Sequence, residues 1–460
     1  MAEGLALVAA GITAWFSRNV IATLVAGMSV LDRRSPALTN DPRVAVGDRS
    51  GNGATVTARC PRSVVAVSST ERPASLSGRM SSSLYATKLR ADRVPRWLRG
   101  IFVFLLIYVF LVGVSSLEAG INVMGSDTQE RLFSNVSNPL AGLFIGILGT
   151  VLVQSSSAST SVIVGLVASG ALTVDQAVPM IMGANIGTTV TNTLVSLGHV
   201  RQSNEFRRAL AAATVHDFFN LAAVAILLPL ELATGFLSNS ASWVSEQLVG
   251  AAGAEWESPV KAWVKRPVGW IEDALTAFTD NPNVVGGLMV ASGLLIVLGS
   301  LIFITKNMKT LVAERVERSM NAILGRGAGF IAIVVGALIT VAVQSSSITT
   351  SILIPMSAAG VISLRNAYPV TLGANVGTTI TALLAALAAS RPEALTIGLV
   401  HTFFNVAGIV ILFGLPFLRP LPIKAAEKLA DVAVERRMLA VGYVVTTFII
   451  IPLVGIAILR

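Results

Sequence analysis

Apolar residues dominate the chain from Ile101 onward, in runs whose lengths match what a bilayer requires of a helix. The pattern predicts membrane-spanning helices at about 101–117, 177–198, 209–231, 284–304, 368–389, 394–418 and 438–459. Two further apolar stretches, about 138–171 and 328–361, are too long for one crossing. Each is interrupted in its middle by a polar cluster, which predicts a re-entrant helical hairpin that returns to the side it came from. Before Ile101 the pattern is lost. Residues 31–98 contain Arg, Ser and Pro with no periodicity and read as disorder, after an apolar segment broken by Ser17, Arg18 and Asn19. Met80 opens a basic leader before the first span, so residues 1–79 are expected to take no part in the function of the membrane-embedded segment.

Basic residues fix the orientation. Lys88, Arg90, Arg93, Arg96 and Arg99 precede the first span and predict a cytoplasmic N-terminal side. With both long stretches read as hairpins, Arg201, Arg207, Arg208, then Lys306, Lys309, Arg315, Arg318, Arg326, then Lys424, Lys428, Arg436, Arg437 fall on that same side. A single crossing through either stretch would spoil the agreement. The expected divisions are an N-terminal extension 1–98, a first repeat 99–231, an extracytoplasmic loop 232–283, a second repeat 284–418, and a linker with a terminal span at 419–460.

The repeat is explicit. Thr150-Val-Leu-Val-Gln154-Ser155-Ser156-Ser157 recurs as Thr340-Val-Ala-Val-Gln344-Ser345-Ser346-Ser347, at an offset of 190. The same offset carries Gly183-Ala-Asn185-Ile-Gly187-Thr188-Thr189 onto Gly373-Ala-Asn375-Val-Gly377-Thr378-Thr379. His216-Asp217-Phe-Phe-Asn220 and His401-Thr402-Phe-Phe-Asn405 form a third pair, at an offset of 185. A unit of span, hairpin, span and span crosses three times. An odd number inverts the second copy. The fold expected is therefore an all-α polytopic membrane protein of two inverted-topology repeats, each with a re-entrant hairpin and a broken helix. Such repeats place substrate and ions near the midplane.

The polar clusters suggest the chemistry. Ser and Gln in hydrocarbon are costly unless they line a cavity or are buried in protein. A turn there exposes N–H groups at the start of the returning helix, a ready anion site. Ser hydroxyls both donate to an oxyanion and offer lone pairs to a cation. The Gly-Ala-Asn-x-Gly-Thr-Thr runs are expected to unwind and offer oxygen ligands to Na⁺. Neither motif contains a charged residue, so anion charge must be balanced by co-bound cations. Candidate substrate- and ion-binding residues are Gln154, Ser155, Ser156, Ser157, Gln344, Ser345, Ser346, Ser347, Asn185, Thr188, Thr189, Asn375, Thr378 and Thr379. Na⁺ is expected at these same hairpin and broken-helix residues. Asp217, an acid inside a predicted span, is a candidate for coupling.

Composition agrees with a membrane class. Of 460 residues 53% are hydrophobic and 13% charged, where soluble domains carry about 25% charged. The net charge of +9 is concentrated between Leu31 and Gly100, which hold thirteen basic and five acidic residues, so it does not argue for nucleic-acid binding. Cys60 is the sole cysteine, which excludes an intramolecular disulfide, and the three histidines make no zinc-type spacing. No cofactor is expected.

On the doubled Gln-Ser-Ser-Ser and Gly-Ala-Asn-x-Gly-Thr-Thr motifs, residues 100–420 resemble the sodium-dependent phosphate cotransporter family, the type II group. The resemblance implies Na⁺-driven symport of inorganic phosphate by alternating access across the plasma membrane, with the eight Gln-Ser-Ser-Ser residues as the substrate and ion site. Transport of another small oxyanion, or phosphate export, is the alternative within transport. An intramembrane hydrolase using Ser156 or Ser346 with His216 or His401 as base is the reading from another class, and an uncoupled channel is a third.

Overall fold

A computed structural model describes residues 95–125, 128, 138–250, 259–324 and 329–459. Residues 1–94, which include Cys60, and Glu130 and Arg326 lie outside the described residues. Every regular element among the described residues is helical. In chain order they are α1 (Arg96–Val123), α2 (Pro139–Val153), α3 (Ser156–Ala168), α4 (Val174–Gly187), α5 (Val190–Ser196), α6 (Ser203–Thr234), α7 (Phe236–Gly250), α8 (Pro259–Thr276), α9 (Pro282–Leu324), α10 (Phe330–Val343), α11 (Ser346–Ala358), α12 (Leu364–Leu387), α13 (Pro392–Leu412), α14 (Pro420–Glu435), α15 (Met438–Val445) and α16 (Ile451–Leu459). Six stretches are long and apolar enough to cross a bilayer: α1, α6, Pro282–Val312 of α9, α12, α13, and Met438–Leu459. The chain is an all-α polytopic membrane protein.

The two long apolar stretches are each a pair of short helices. Asn138 accepts from the N–H of Leu140 and Pro139 sits in the first turn, so α2 starts where its sequence places a cap and a preset φ. α4 opens on a capping box, in which Thr173 Oγ1 accepts from Gln176 N and Gln176 Oε1 accepts from Thr173 N. Arg208 donates from Nε and Nη2 to the Ala358 carbonyl and satisfies the C-terminal end of α11.

Glycines let the paired helices touch backbone to backbone. A Cβ on Gly183 of α4 would collide with the Leu143 carbonyl of α2, and one on Gly373 of α12 with the Ile333 carbonyl of α10. These motif glycines therefore serve close packing, a common use of small residues in membrane helices. That use corrects one expectation. The first copy does break: α4 ends at Gly187, Thr188 and Thr189 form a turn, and α5 resumes. In the second copy α12 runs unbroken through Gly377, Thr378 and Thr379. In the first copy three consecutive residues of α5, Thr191, Asn192 and Thr193, bond to three different elements. The second copy has Thr381, Ala382 and Leu383 there, with less to pull the helix apart.

The segments expected to be connections are also helical. Within 232–283, α7 is capped by the Glu231 carboxylate, which accepts from Leu237 N and Ser238 N. α8 buries Val264 and Val268 and accepts a hydrogen bond at Trp263 O from Tyr108 of α1. α14, in the expected linker, buries Ile423, Ala426, Ala430 and Ala433 along one face. Its Asp431 hydrogen-bonds Arg207, which holds that carboxyl below its usual range. The apolar periodicity of these segments is amphipathic and short, so it falls under the length of a span.

The backbone contact at Gly373 gives a test. Gly373→Leu should cost at least about 3 kcal/mol, the upper range for overpacking. The purified variant should melt well below wild type or elute as aggregate. An unchanged melting temperature would mean that α10 and α12 are not in backbone contact.

Candidate functional site

Both Gln-Ser-Ser-Ser motifs form the same elbow. Gln154 and Gln344 have φ of 56° and 57°, and they are the only non-glycine residues with positive φ among the described residues. This left-handed conformation costs an L-residue about 1–2 kcal/mol, and glycine would adopt it freely. Glutamine's side chain offsets the strain. Gln154 Nε2 donates to Val151 O at 2.6 Å, and its Oε1 accepts from Thr191 Oγ1 at 2.9 Å. Gln344 repeats this with Val341 O at 2.7 Å and Thr381 Oγ1 at 3.0 Å. Gln344 clamps its elbow to α12, which carries the second Asn-x-Gly-Thr-Thr run, and Gln154 clamps its elbow to α5, which follows the first.

The next residue caps the returning helix. Ser155 Oγ accepts from Ala158 N at 3.2 Å, and Ser345 Oγ from Ile348 N at 3.4 Å. Each of these hydroxyls keeps its own proton to donate. Ser156 and Ser346 are buried at the first helical position. The first N–H groups of a helix lack intrahelical partners, so both elbows present donors and a positive dipole end.

The two elbows meet. One cavity of about 280 Å³ is lined by Gln154, Ser155, Ser156 and Ser157 together with Gln344, Ser345, Ser346 and Ser347. A water's share of liquid is about 30 Å³, so an oxyanion and several ions or waters fit. No lining residue carries a formal charge. The third wall is α9, through Leu298, Leu301, Ile302 and Thr305. Sequence reasoning missed this wall. Its signal was the helical spacing of those four positions, with a threonine ending an otherwise apolar face.

The other candidates sit behind the cavity. Thr188 and Thr189 donate to the Ala184 and Ile186 carbonyls, and Thr378 and Thr379 to those of Ala374 and Val376. Asn185 and Asn375 belong to a buried lattice between the copies. His216 Nε2 pairs with Asn375 Oδ1, Asn375 Nδ2 donates to Asn220 Oδ1, and Asn220 Nδ2 to the Asn185 carbonyl. His401 Nε2 lies 3.3 Å from Asn185 Oδ1. Neither imidazole has a motif serine among these partners.

α5 joins the parts. Thr191 bonds Gln154 of the first elbow, Asn192 Oδ1 accepts from Thr350 Oγ1 of the second hairpin at 2.8 Å, and Thr193 Oγ1 lies 3.4 Å from Asp217 Oδ2. Successive helical residues point about 100° apart, which lets three neighbours serve three elements. A reciprocal contact links Ser157 Oγ of the first hairpin to Thr381 Oγ1 of the second copy at 3.3 Å. Asp217 is fully buried, and its Oδ1 has no hydrogen-bond partner. Asn192 and Thr193 were not singled out by sequence, because neither belongs to a duplicated position.

A family model described as Na⁺/Pi-cotransporter matches residues 109–250 and 295–419. Sodium-dependent phosphate transport protein 2B of Pongo abelii is 36% identical over 436 residues, covering 75% of this chain and 63% of the relative. Sodium-dependent phosphate transport protein 2A of Rattus norvegicus is 36% identical over 416 residues, covering 75% and 65%. The 2A protein of Mus musculus is 35% identical over 444 residues, covering 81% and 69%. The chain thus spans less than two thirds of the length of the first two relatives. No solved structure matches it. The chain belongs to the Na⁺/Pi-cotransporter family.

The strained elbow predicts an order of stabilities. Gln154→Gly loses the clamp and relieves the backbone, whereas Gln154→Ala loses the clamp and keeps the strain. The alanine variant should be the less stable by about 1 kcal/mol, read as the lower melting temperature. Alanine equal to or above glycine would contradict the left-handed assignment.

Proposed function

We propose that this member of the Na⁺/Pi-cotransporter family carries out sodium-coupled symport of inorganic phosphate across the plasma membrane by alternating access. The observation that carries the reading is the uncharged cavity shared by the two elbows. Phosphate binds there to serine hydroxyls and helix-start N–H groups. With no cationic side chain in the lining, its charge is balanced by Na⁺ held on serine and backbone oxygens. Coupling follows, because each charge lowers the cost of bringing the other into a low-dielectric site.

The eight Gln-Ser-Ser-Ser residues take the ligand roles. Ser155 and Ser345 donate to the anion, Ser156, Ser157, Ser346 and Ser347 complete the shell, and the glutamines hold the elbows in shape. Asn185, Thr188, Thr189, Asn375, Thr378 and Thr379 form the frame behind it. Asp217, with an open carboxylate oxygen beside Thr193, supplies a separate cation ligand that couples binding to movement. The two copies are inverted about the cavity, with the N-terminal side cytoplasmic. The matched clamps Gln154–Thr191 and Gln344–Thr381 support that relation. The asparagine partners of His216 and His401 favour a transporter over a serine hydrolase.

The test is radiolabelled phosphate uptake into proteoliposomes under a Na⁺ gradient and in choline. Uptake should require Na⁺. Ser155→Ala, Ser156→Ala, Ser345→Ala and Ser346→Ala should each reduce it about tenfold, the effect of one hydrogen bond to a charged ligand, with protein levels intact. Equal flux in choline would contradict Na⁺ coupling. Normal uptake by all four variants would remove the elbows from the site.

A further inference from the structure

The C-terminal helix reaches the buried acid from outside the repeated unit. Tyr443 lies on α15, beyond residue 419 where the family match ends. Its hydroxyl donates to Asp217 Oδ2 at 3.0 Å, the oxygen that Thr193 Oγ1 approaches at 3.4 Å. Asp217 Oδ1, equally buried, has no partner. A carboxylate has about four acceptor positions on two oxygens. Here Tyr443 and Thr193 share one oxygen, Thr189 also approaches the carboxylate, and Oδ1 carries no hydrogen bond.

The tyrosine is itself fixed. Its ring stacks on Phe218, the neighbour of Asp217, with centroids 6.1 Å apart, and meets Phe448 edge-on at 6.1 Å. A π-helical turn, Thr446–Ile450, follows at once and separates α15 from α16. Such turns are frequent at functional sites. The second copy has no equivalent arrangement. Thr402 stands at the position of Asp217 and donates to the Gly398 carbonyl at 3.2 Å.

We propose that Tyr443 is a positioning residue for the transported cation: its hydroxyl holds Asp217 Oδ2 so that Oδ1 faces the Na⁺ it is to bind. This rests on the reading of Asp217 given under Proposed function. Tyr443 does not itself ligate the ion. It fixes the rotamer of the carboxylate that does, and Thr193 shares the task from α5. The C-terminal helix thereby becomes part of the coupling machinery of the first copy alone.

The experiment is thermal unfolding of the purified full chain, titrated with NaCl against choline chloride at constant ionic strength. In wild type, Na⁺ should raise the melting temperature saturably. Tyr443→Phe keeps the ring and removes the hydroxyl. It should raise the Na⁺ concentration for half-maximal stabilisation about tenfold, the loss of one charge-assisted hydrogen bond. Thr193→Val should move it in the same direction, which keeps the test open if Tyr443→Phe does not fold. In an Asp217→Asn background Tyr443→Phe should cause no further change. A lower melting temperature in choline with an unchanged Na⁺ midpoint, for both variants, would make these contacts merely structural and overturn the inference. Wild-type protein with Na⁺-driven uptake and unaltered variants sinks this inference alone. Wild-type protein with neither Na⁺ stabilisation nor Na⁺-driven uptake sinks the symport reading and this inference with it.

Discussion

A chain that turns back inside a bilayer exposes backbone groups that lipid cannot satisfy, and each unsatisfied group costs several kcal/mol. The two elbows at Gln154 and Gln344 meet that constraint in the same way. Each glutamine accepts a left-handed backbone, and both ends of its amide are bonded, one to the preceding turn and one to a threonine of the neighbouring helix. Glycine would make the turn without strain, but it would leave nothing to clamp. The choice of a strained residue at both copies ties the turn to the cavity it lines, since strain kept in a fold marks places where a side chain is needed.

From that constraint the rest of the site follows. A clamped elbow aims the start of a helix, with its free N–H groups and serine hydroxyls, into a space closed on one side by α9. The opposing elbow does the same. α4 and α12 pack so closely on α2 and α10 that only glycine fits at Gly183 and Gly373. Thr381 sits on α12 and Thr191 on α5, just past the turn that ends α4, so a shift of either of these helices moves the elbow clamped to it. The cross-copy contacts of Ser157 with Thr381 and of Thr350 with Asn192 then carry such a shift to the other copy. In the proposed alternating access, these hydrogen bonds would join binding to rearrangement.

Duplication made the elbows legible in the sequence. A polar cluster inside an apolar run, repeated at one offset, has few physical explanations. The hairpins and the meeting of the two motifs could be anticipated from it, and six of the seven expected spans from apolar run length; the seventh, 177–198, is divided into α4 and α5, each too short to cross alone. What duplication does not mark was not legible. Thr193 and Tyr443 act on Asp217 from unpaired positions, and Leu298–Thr305 is an ordinary apolar face until its neighbours are known. Helix propensity misled at Gly373-Ala-Asn375-Val-Gly377, where glycine read as a breaker serves close approach and the helix continues. Backbone propensity is a weak guide wherever tertiary packing can override it.

The central claim is that both elbows build a single anion site. Equilibrium binding of labelled phosphate to the purified chain in saturating Na⁺ tests it most directly. One phosphate per chain should bind, and disruption of either elbow alone should abolish it. Two phosphates per chain, or one that survives the loss of an entire elbow, would contradict the account.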